Sequence, residues 1–218
     1  MRAAYAEAFG KIIGRPLVQL PQMVGRTEPE IFFEAVALNS TARSDAAESE
    51  RLLALFGEQL ATSLAARRDQ LATLGQLLPG AAEATAALAG REGVVQSVLT
   101  GSSRPNAALK LRAFGLDRYV DLAIGGFAGS EVYPKGTLLQ VTRQRAEDKH
   151  GVSFAGKATL YIADSPRDVK AAKIGGAKSV AVASGRATST ELRGAGADAV
   201  LPDLTDTEAI VALVTEPV

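Results

Sequence analysis

Hydrophobic positions follow a helical period over the first 78 residues. Leucines recur at spacings of three and four residues over 48–78, as on one side of a helix. Residues 27–38 open with a capping box, in which Thr27 and Glu30 can exchange hydrogen bonds. No alternating pattern typical of a strand interrupts these segments. The pattern predicts a small helical bundle over residues 1–78.

From residue 79 onward, short apolar runs alternate with segments of helical spacing. The runs are 94–99, 119–124, 159–163, 179–183 and 198–201, and the helical segments between them are 105–114, 136–150, 168–174 and 189–193. Such alternation is typical of parallel strands joined by helical crossovers. The sequence therefore predicts a doubly wound α/β domain with a parallel sheet over residues 79–218.

The composition narrows the possible chemistry and partners. The 218 residues include 24 basic and 24 acidic side chains, one histidine and no cysteine. The balanced charge argues against nucleic acid or an anionic membrane as the main partner, since both attract basic proteins. Disulfides, zinc–thiolate sites and cysteine nucleophiles are excluded. The chain shows neither a signal peptide nor a membrane span, and we expect a cytoplasmic protein whose chemistry uses carboxylates, hydroxyls, lysines and backbone amides.

The first predicted strand with a polar end is 94–99. Thr100, Gly101 and Ser102 follow it directly, and a helix is predicted to begin near residue 105. Ligands of open parallel sheets bind at the carboxyl ends of strands, and a helix N-terminus favours anions. The segment could bind a phosphate through a hydroxyl and backbone N–H groups. A plain strand-to-helix turn would use the same residues, and that alternative stays open.

Two carboxylates, Asp164 and Asp168, lie in the tight turn that follows the run 159–163. Neighbouring carboxylates repel each other unless a cation or a donor lies between them, and Mg²⁺ prefers such oxygen ligands. Alternatively, Asp168 is only a helix N-cap and Asp164 is only solvated. Lys135 lies in a glycine-rich loop after the run 119–124, where its charge could neutralise a phosphate and the carboxylates.

Together these segments resemble the haloacid dehalogenase-like hydrolase superfamily, in particular its phosphoglycolate-phosphatase-like branch. Thr100 in "VLTGSS" matches the residue that binds the phosphoryl group there, and Lys135 matches a lysine or arginine before a helix. "IADSPRDVKAAKIGG" is similar to the family's Gly-Asp-x-Pro-x-Asp motif, with Ala163 and Ser165 as mild departures. The resemblance implies a mobile helical cap over 1–78, a core over 79–218, and Mg²⁺ held by Asp164 and Asp168.

One departure from the family pattern is serious. The family's Asp-x-Asp-x-Thr motif ends a first strand that precedes the cap, and it supplies the nucleophile and the acid–base carboxylate. Here the sequence begins in the first cap helix, and its first aspartate is Asp45. We therefore expect an N-terminally truncated form without turnover. In the family that strand lies between the strands ending at Thr100 and Asp164. We therefore expect the runs 94–99 and 159–163 to be separated by a gap of roughly 10 Å, to have collapsed together, or to be bridged by another segment, and not to pair in an intact sheet.

The resemblance implies a Mg²⁺-dependent phosphatase of a small phosphorylated metabolite, with Thr100 and Lys135 taking part in the reaction. Two alternatives remain: an inactive binding or regulatory protein of the same fold, and an unrelated doubly wound domain that binds a nucleotide or sugar phosphate. Arg26 and Thr27 are candidates to contact the leaving group, although a helix-entry turn would use them equally well. The sequence names neither the substrate nor an oligomeric state.

Overall fold

The computed structural model describes residues 1–40, 45–129 and 135–215. In chain order, the helices and strands are α1 (Arg2–Ile13), α2 (Glu28–Asn39), α3 (Ala46–Ala65), α4 (Arg68–Leu74), α5 (Ala81–Ala89), β1 (Leu99–Thr100), α6 (Arg104–Ala113), β2 (Gly126–Phe127), α7 (Lys135–His150), β3 (Leu160–Ala163), α8 (Pro166–Gly175), β4 (Lys178–Val182), α9 (Ser189–Gly194), β5 (Ala199–Leu201) and α10 (Thr207–Thr215). None of the described helices is long and apolar enough to cross a membrane.

The chain divides into two compact units. The helical unit comprises Met1–Gly75, Thr100–Ala113 and Phe127–Val132, and the α/β unit comprises Gln76–Leu99, Phe114–Gly126 and Tyr133–Val218. The first boundary lies close to the predicted one at residue 78. Two later segments, however, group by their contacts with the helices of residues 1–75. Whether residues 1–78 act as a cap stays a prediction.

An aromatic cluster forms the core of the helical unit. Tyr5 on α1 and Phe32 on α2 both contact Phe56 on α3, with ring centroids 5.6 Å and 4.8 Å apart, and all three side chains are buried. Leu60 and Leu64 extend the buried face of α3 by one and two turns, as their spacing predicts. The capping box of Thr27 and Glu30 starts α2 and is confirmed. The helical pattern thus agrees with the buried face of α3, whereas α4 buries no residue and its Leu74 is 81% exposed, so the leucine pattern beyond α3 does not mark a buried face.

Three parallel strands in the order β3-β4-β5 form the sheet of the α/β unit. Ile162 pairs with Val180, and Val180 pairs with Ala199. The central strand β4 is almost fully buried from Ser179 to Val182, whereas β3 is only half-buried along its length. The parallel order and the crossover helices confirm the predicted α/β class.

Two of the predicted strands differ from the structure. The run 94–99 contributes only its end to β1, and the run 119–124 forms the end of a 3₁₀ helix followed by turns rather than a strand. A backbone bond from the Asp121 N–H to the Gln96 carbonyl oxygen at 2.8 Å joins the two runs. In addition, the side-chain amide of Gln96 donates to the carbonyl oxygens of Thr85 and Tyr119 at 2.9 Å and 3.2 Å. The apolar pattern indicated burial of these runs but not the polar bonds that hold them.

The described strands form two separate sheets. β1 pairs with β2, while β3 has β4 as its ladder partner. Val94, at the start of the run before β1, and Ile162 of β3 both pack on the cluster that α5 and α10 form around Leu88 and Ile210. The prediction that the runs 94–99 and 159–163 do not pair is therefore confirmed for the residues that the structure describes.

Candidate active site

Local sequence builds the turn between β3 and α8. Ser165 is the N-cap of α8, and its hydroxyl accepts the backbone N–H of Asp168. Pro166 follows at the first helical position, where its missing N–H costs nothing. Asp168 therefore lies in the first turn of the helix and is not its N-cap. A negative charge in that turn is stabilised by the helix dipole.

Three donors surround the carboxylate of Asp168, whose residue is 4% exposed. Lys135 Nζ lies 2.7 Å from Oδ1, and the Tyr161 hydroxyl donates to the same oxygen at 3.0 Å. The Ser165 hydroxyl donates to Oδ2 at 2.6 Å. Burial raises the pKa of Tyr161 well above its ordinary value, and the charge of Asp168 adds to the effect, so the phenol stays protonated as a donor. Both carboxylate oxygens of Asp168 are thus hydrogen-bonded.

Asp164 is in the opposite electrostatic situation. It directly follows β3, and its side chain lies against the backbone of Gly185, where an added Cβ would come within 2.8 Å of the Asp164 Cβ. Burial raises the pKa of Asp164, and the charge of Asp168 raises it further, against a smaller lowering by Lys135. An additional positive charge beside Asp164 would therefore stabilise its ionised form.

Close helix packing brings Lys135 to this turn. Lys135 is the first residue of α7, and the next residue, Gly136, allows α7 to approach α8 closely. An added Cβ on Gly136 would come within 2.6 Å of the Ile174 Cβ. The predicted loop before Lys135 includes residues 130–134, which lie outside the described residues. The structure thus unites three of the predicted site residues, Lys135, Asp164 and Asp168, within the α/β unit.

The segment after β1 belongs to the helical unit. The Thr100 hydroxyl accepts the backbone N–H of Ser102 at 3.2 Å, which leaves its own proton available to a ligand. Gly101 lies against the backbone of the residues before α2, where an added Cβ would come within 2.7 Å of the Arg26 carbonyl carbon. The Ser102 hydroxyl accepts a hydrogen bond from Lys110 at 2.6 Å. That Thr100, Gly101 and Ser102 bind phosphate stays a prediction, as does their approach to Lys135.

Arg26 and Thr27 carry out structural roles in this conformation. Thr27 is 1% exposed and exchanges hydrogen bonds with Glu30. Arg26 forms an ion pair with Glu34 and donates to the carbonyl oxygen of Glu30 at 3.2 Å. These bonds match the helix-entry turn that the sequence left open, and contact with a leaving group stays a prediction.

Sequence reasoning missed two residues of these networks. Tyr161 lies in an apolar run whose pattern predicts only a strand, although a tyrosine in a buried strand needs a partner for its hydroxyl. Glu28 carried no signal beyond its place in the first turn of α2, yet its carboxylate is buried against α6. The described residues contain no group of three or more acidic or histidine side chains placed to hold a metal ion.

A known protein family matches the greater part of the chain. The family model described as haloacid dehalogenase-like hydrolase matches residues 7–173. The chain belongs to the haloacid dehalogenase-like hydrolase family. The match includes both the helices at the start of the chain and the turn that carries Asp164 and Asp168. No curated protein matches the chain in a sequence search.

Solved structures of similar fold cover nearly the whole chain. A hydrolase from Pseudomonas syringae is 21% identical, with a TM-score of 0.64 over 95% of this chain and 88% of that one. A predicted phosphatase from Clostridium acetobutylicum is 15% identical, with a TM-score of 0.65 over 96% and 89%. A predicted phosphoglycolate phosphatase from Haemophilus somnus is 19% identical, with a TM-score of 0.61 over 96% and 89%. At these identities the likeness shows the shared fold.

Proposed function

We propose that this family member, once a segment carrying the Asp nucleophile precedes it, is a Mg²⁺-dependent hydrolase of the phosphate ester of a small phosphorylated metabolite. The observation that carries the proposal is the ion pair of Lys135 and Asp168 beside Asp164, at the carboxyl end of β3. Ligands of parallel α/β sheets bind at this end. The phosphatase descriptions of structural neighbours support the same reaction class.

The donor set fits a magnesium ion with few protein ligands. Mg²⁺ usually takes one or two carboxylates and keeps several waters. Asp164 would contact the ion or its waters, because its charge is the less compensated of the two. Asp168, bound to Lys135, Tyr161 and Ser165, would hold the turn and orient waters. When bound, Mg²⁺ supplies positive charge to the phosphoryl group.

The residues of the chain would divide the remaining work. Thr100 would donate its hydroxyl proton to a phosphoryl oxygen, and Lys135 would neutralise negative charge on the phosphate and the carboxylates. Phosphoryl transfer depends mostly on such positioning and charge neutralisation. No nucleophile is assigned among the described residues, and we propose that an Asp-x-Asp-Gly-Thr segment placed before them would supply it.

A phosphatase assay with an aryl phosphate, with Mg²⁺ or EDTA, tests the proposal. The 218-residue chain should show no turnover, and the same chain preceded by a strand with Asp-x-Asp-Gly-Thr should show Mg²⁺-dependent turnover. In the longer chain, Lys135→Met should reduce kcat/KM at least a hundredfold. Lys149→Met is a matched control, because Lys149 lies on the same helix as Lys135. The substitution breaks only an exposed ion pair with Asp121. No activity in a folded longer chain across small phosphate esters would favour a binding protein instead.

A further inference from the structure

A buried carboxylate occupies the N-terminus of α6. Glu28, the first residue of α2, is 7% exposed and accepts the backbone N–H of Ser103 at 3.0 Å. Both of its carboxylate oxygens also accept from the side-chain amide of Asn106, at 3.2 Å and 3.1 Å. Free N–H groups at the start of a helix are the donors that phosphate and other oxyanions prefer. Here the side chain of Glu28 has taken one of them, the N–H of Ser103.

The surroundings of Glu28 suit an anion. Lys110 extends from α6 to the Ser102 hydroxyl, and its side chain is largely buried. Burial lowers the pKa of Lys110, while the charge of Glu28 acts in the opposite direction. The Ser103 hydroxyl oxygen is enclosed and has no hydrogen-bond partner among the described residues. A second anion at this position would meet a hydroxyl donor and a lysine, but also the negative charge of Glu28.

The backbone of Glu28 is bound to the same segment. Its N–H donates to the Gly101 carbonyl oxygen at 2.6 Å. The Glu28 residue therefore holds Gly101 through its backbone and Ser103 through its side chain. Between these two points, the Ser102 N–H is directed to the Thr100 hydroxyl. The conformation of residues 100–103 thus depends on Glu28, which lies about 75 residues earlier in the chain.

We propose that Glu28 is a positioning residue, which takes the place of an oxyanion at the start of α6 and so directs an incoming phosphoryl group to Thr100. This proposal rests on the function proposed above. It implies that the charge of Glu28 opposes phosphate at the N–H of Ser103. Loss of that charge should open a second, competing anion position.

Glu28→Gln tests the proposal, because glutamine keeps the shape and removes the charge. Inorganic phosphate should bind the variant about twofold to thirtyfold more tightly than the wild type, the range for one charge at a helix N-terminus. In an NMR titration, the Ser103 amide should respond to phosphate in the variant only. Amide hydrogen exchange at Ser103 without phosphate should be at least tenfold faster in the variant, since its charged acceptor is lost.

Two further variants make the test decisive. Glu58→Gln removes an exposed charge from α3 and should leave phosphate affinity and Ser103 exchange unchanged. Glu28→Asp keeps the charge but shortens the side chain, so Ser103 exchange should accelerate without tighter phosphate binding. The aspartate variant also decides the positioning role if the glutamine variant fails to fold.

The outcomes separate this proposal from the proposed function. If phosphate binds the wild type and Glu28→Gln equally well, or binds the variant more weakly, the role of Glu28 is overturned while phosphate binding stands. If Ser103 exchange is unchanged in both Glu28 variants, the positioning role is also overturned. If neither the wild type nor any variant binds phosphate, the phosphoryl site and the role of Glu28 fail together.

Discussion

Two turns in this protein each place a buried carboxylate at the start of a helix, but the carboxylates come from different parts of the chain. Residues 100–103 lead from β1 into α6, and residues 164–168 lead from β3 into α8. Each turn has a buried carboxylate at the start of its helix and a lysine close by. In the second turn the carboxylate is Asp168, three residues after the N-cap of its own helix. In the first it is Glu28, which belongs to a different helix.

The difference shows which interactions are encoded locally. Ser165 and Asp168 bond to each other within one helical turn, so the second turn needs only its own sequence to form these bonds. The first turn depends on Glu28, and its geometry therefore follows the packing of α2 against α6. We expect the second turn to respond to changes in its own charges, and the first to changes in distant backbone and side-chain contacts.

The largest effect should come from Asp168→Asn. The substitution leaves Lys135, whose side chain is 13% exposed, without its ion pair. Breaking one side of a buried pair should cost about 3 kcal/mol of unfolding free energy. Urea denaturation in EDTA measures the loss. Asp121→Asn, which breaks the exposed pair with Lys149, should cost less than about 1 kcal/mol. Equal losses of unfolding free energy in the two variants would contradict the burial of the ion pair between Lys135 and Asp168.

Gly101→Ala should destabilise the first turn by about 2 kcal/mol, because the new Cβ meets the backbone of Arg26 and Thr27 and forces a shift. Gly57→Ala is the matched control. Gly57 lies within α3, where an added Cβ meets nothing within 4 Å, and alanine should stabilise the helix by about 0.5–1 kcal/mol. Thermal denaturation of both variants provides the comparison. A neutral Gly101→Ala would mean that residues 100–103 do not approach α2 this closely.

Tyr161→Phe should have a smaller effect on the second turn. The variant loses the hydrogen bond from the phenol to Asp168 but keeps those from Lys135 and Ser165. The unfolding free energy should fall by about 1 kcal/mol, as for one hydrogen bond. Chemical denaturation measures it, and combination with Asp168→Asn should give less than the sum, since the two share one interaction. Full additivity would argue against the contact.

Asp164→Asn should raise the unfolding free energy of the metal-free protein, whereas Asp168→Asn should lower it. The folded pKa of Asp164 lies above its ordinary value of 3.8, because burial and Asp168 disfavour the ionised form. The stability that protonated Asp164 contributes is present below pH 3.8 and lost as the pH rises through the folded pKa. The metal-free asparagine variant should therefore be the more stable protein at neutral pH. Denaturation in EDTA from pH 3 upward tests the sign, and an advantage that grows on acidification would refute it.

Much of the fold could be predicted from the chain, because its causes are local. Helical spacing predicted the buried face of α3, and the apolar run 179–183 predicted a strand, which the structure places at the centre of the three-stranded sheet. The residue types at the ends of apolar runs identified Lys135, Asp164 and Asp168 as candidates. Their placement in one unit agrees with that reasoning, while their approach to Thr100 remains a prediction.

Hydrogen bonds between residues far apart in the chain could not be predicted from the sequence. Gln96 holds two carbonyl oxygens where a strand was predicted, and nothing in the run 119–124 signals the 3₁₀ helix that ends at Tyr119. A hydrogen bond between distant residues leaves no period in the hydrophobic pattern. The sequence alone determined the helical start, the α/β class and the motif residues of the family, since period, capping and spacing act within a few residues. Only the tertiary structure decided that Glu28 faces α6 and Tyr161 faces Asp168, because those contacts depend on packing between elements.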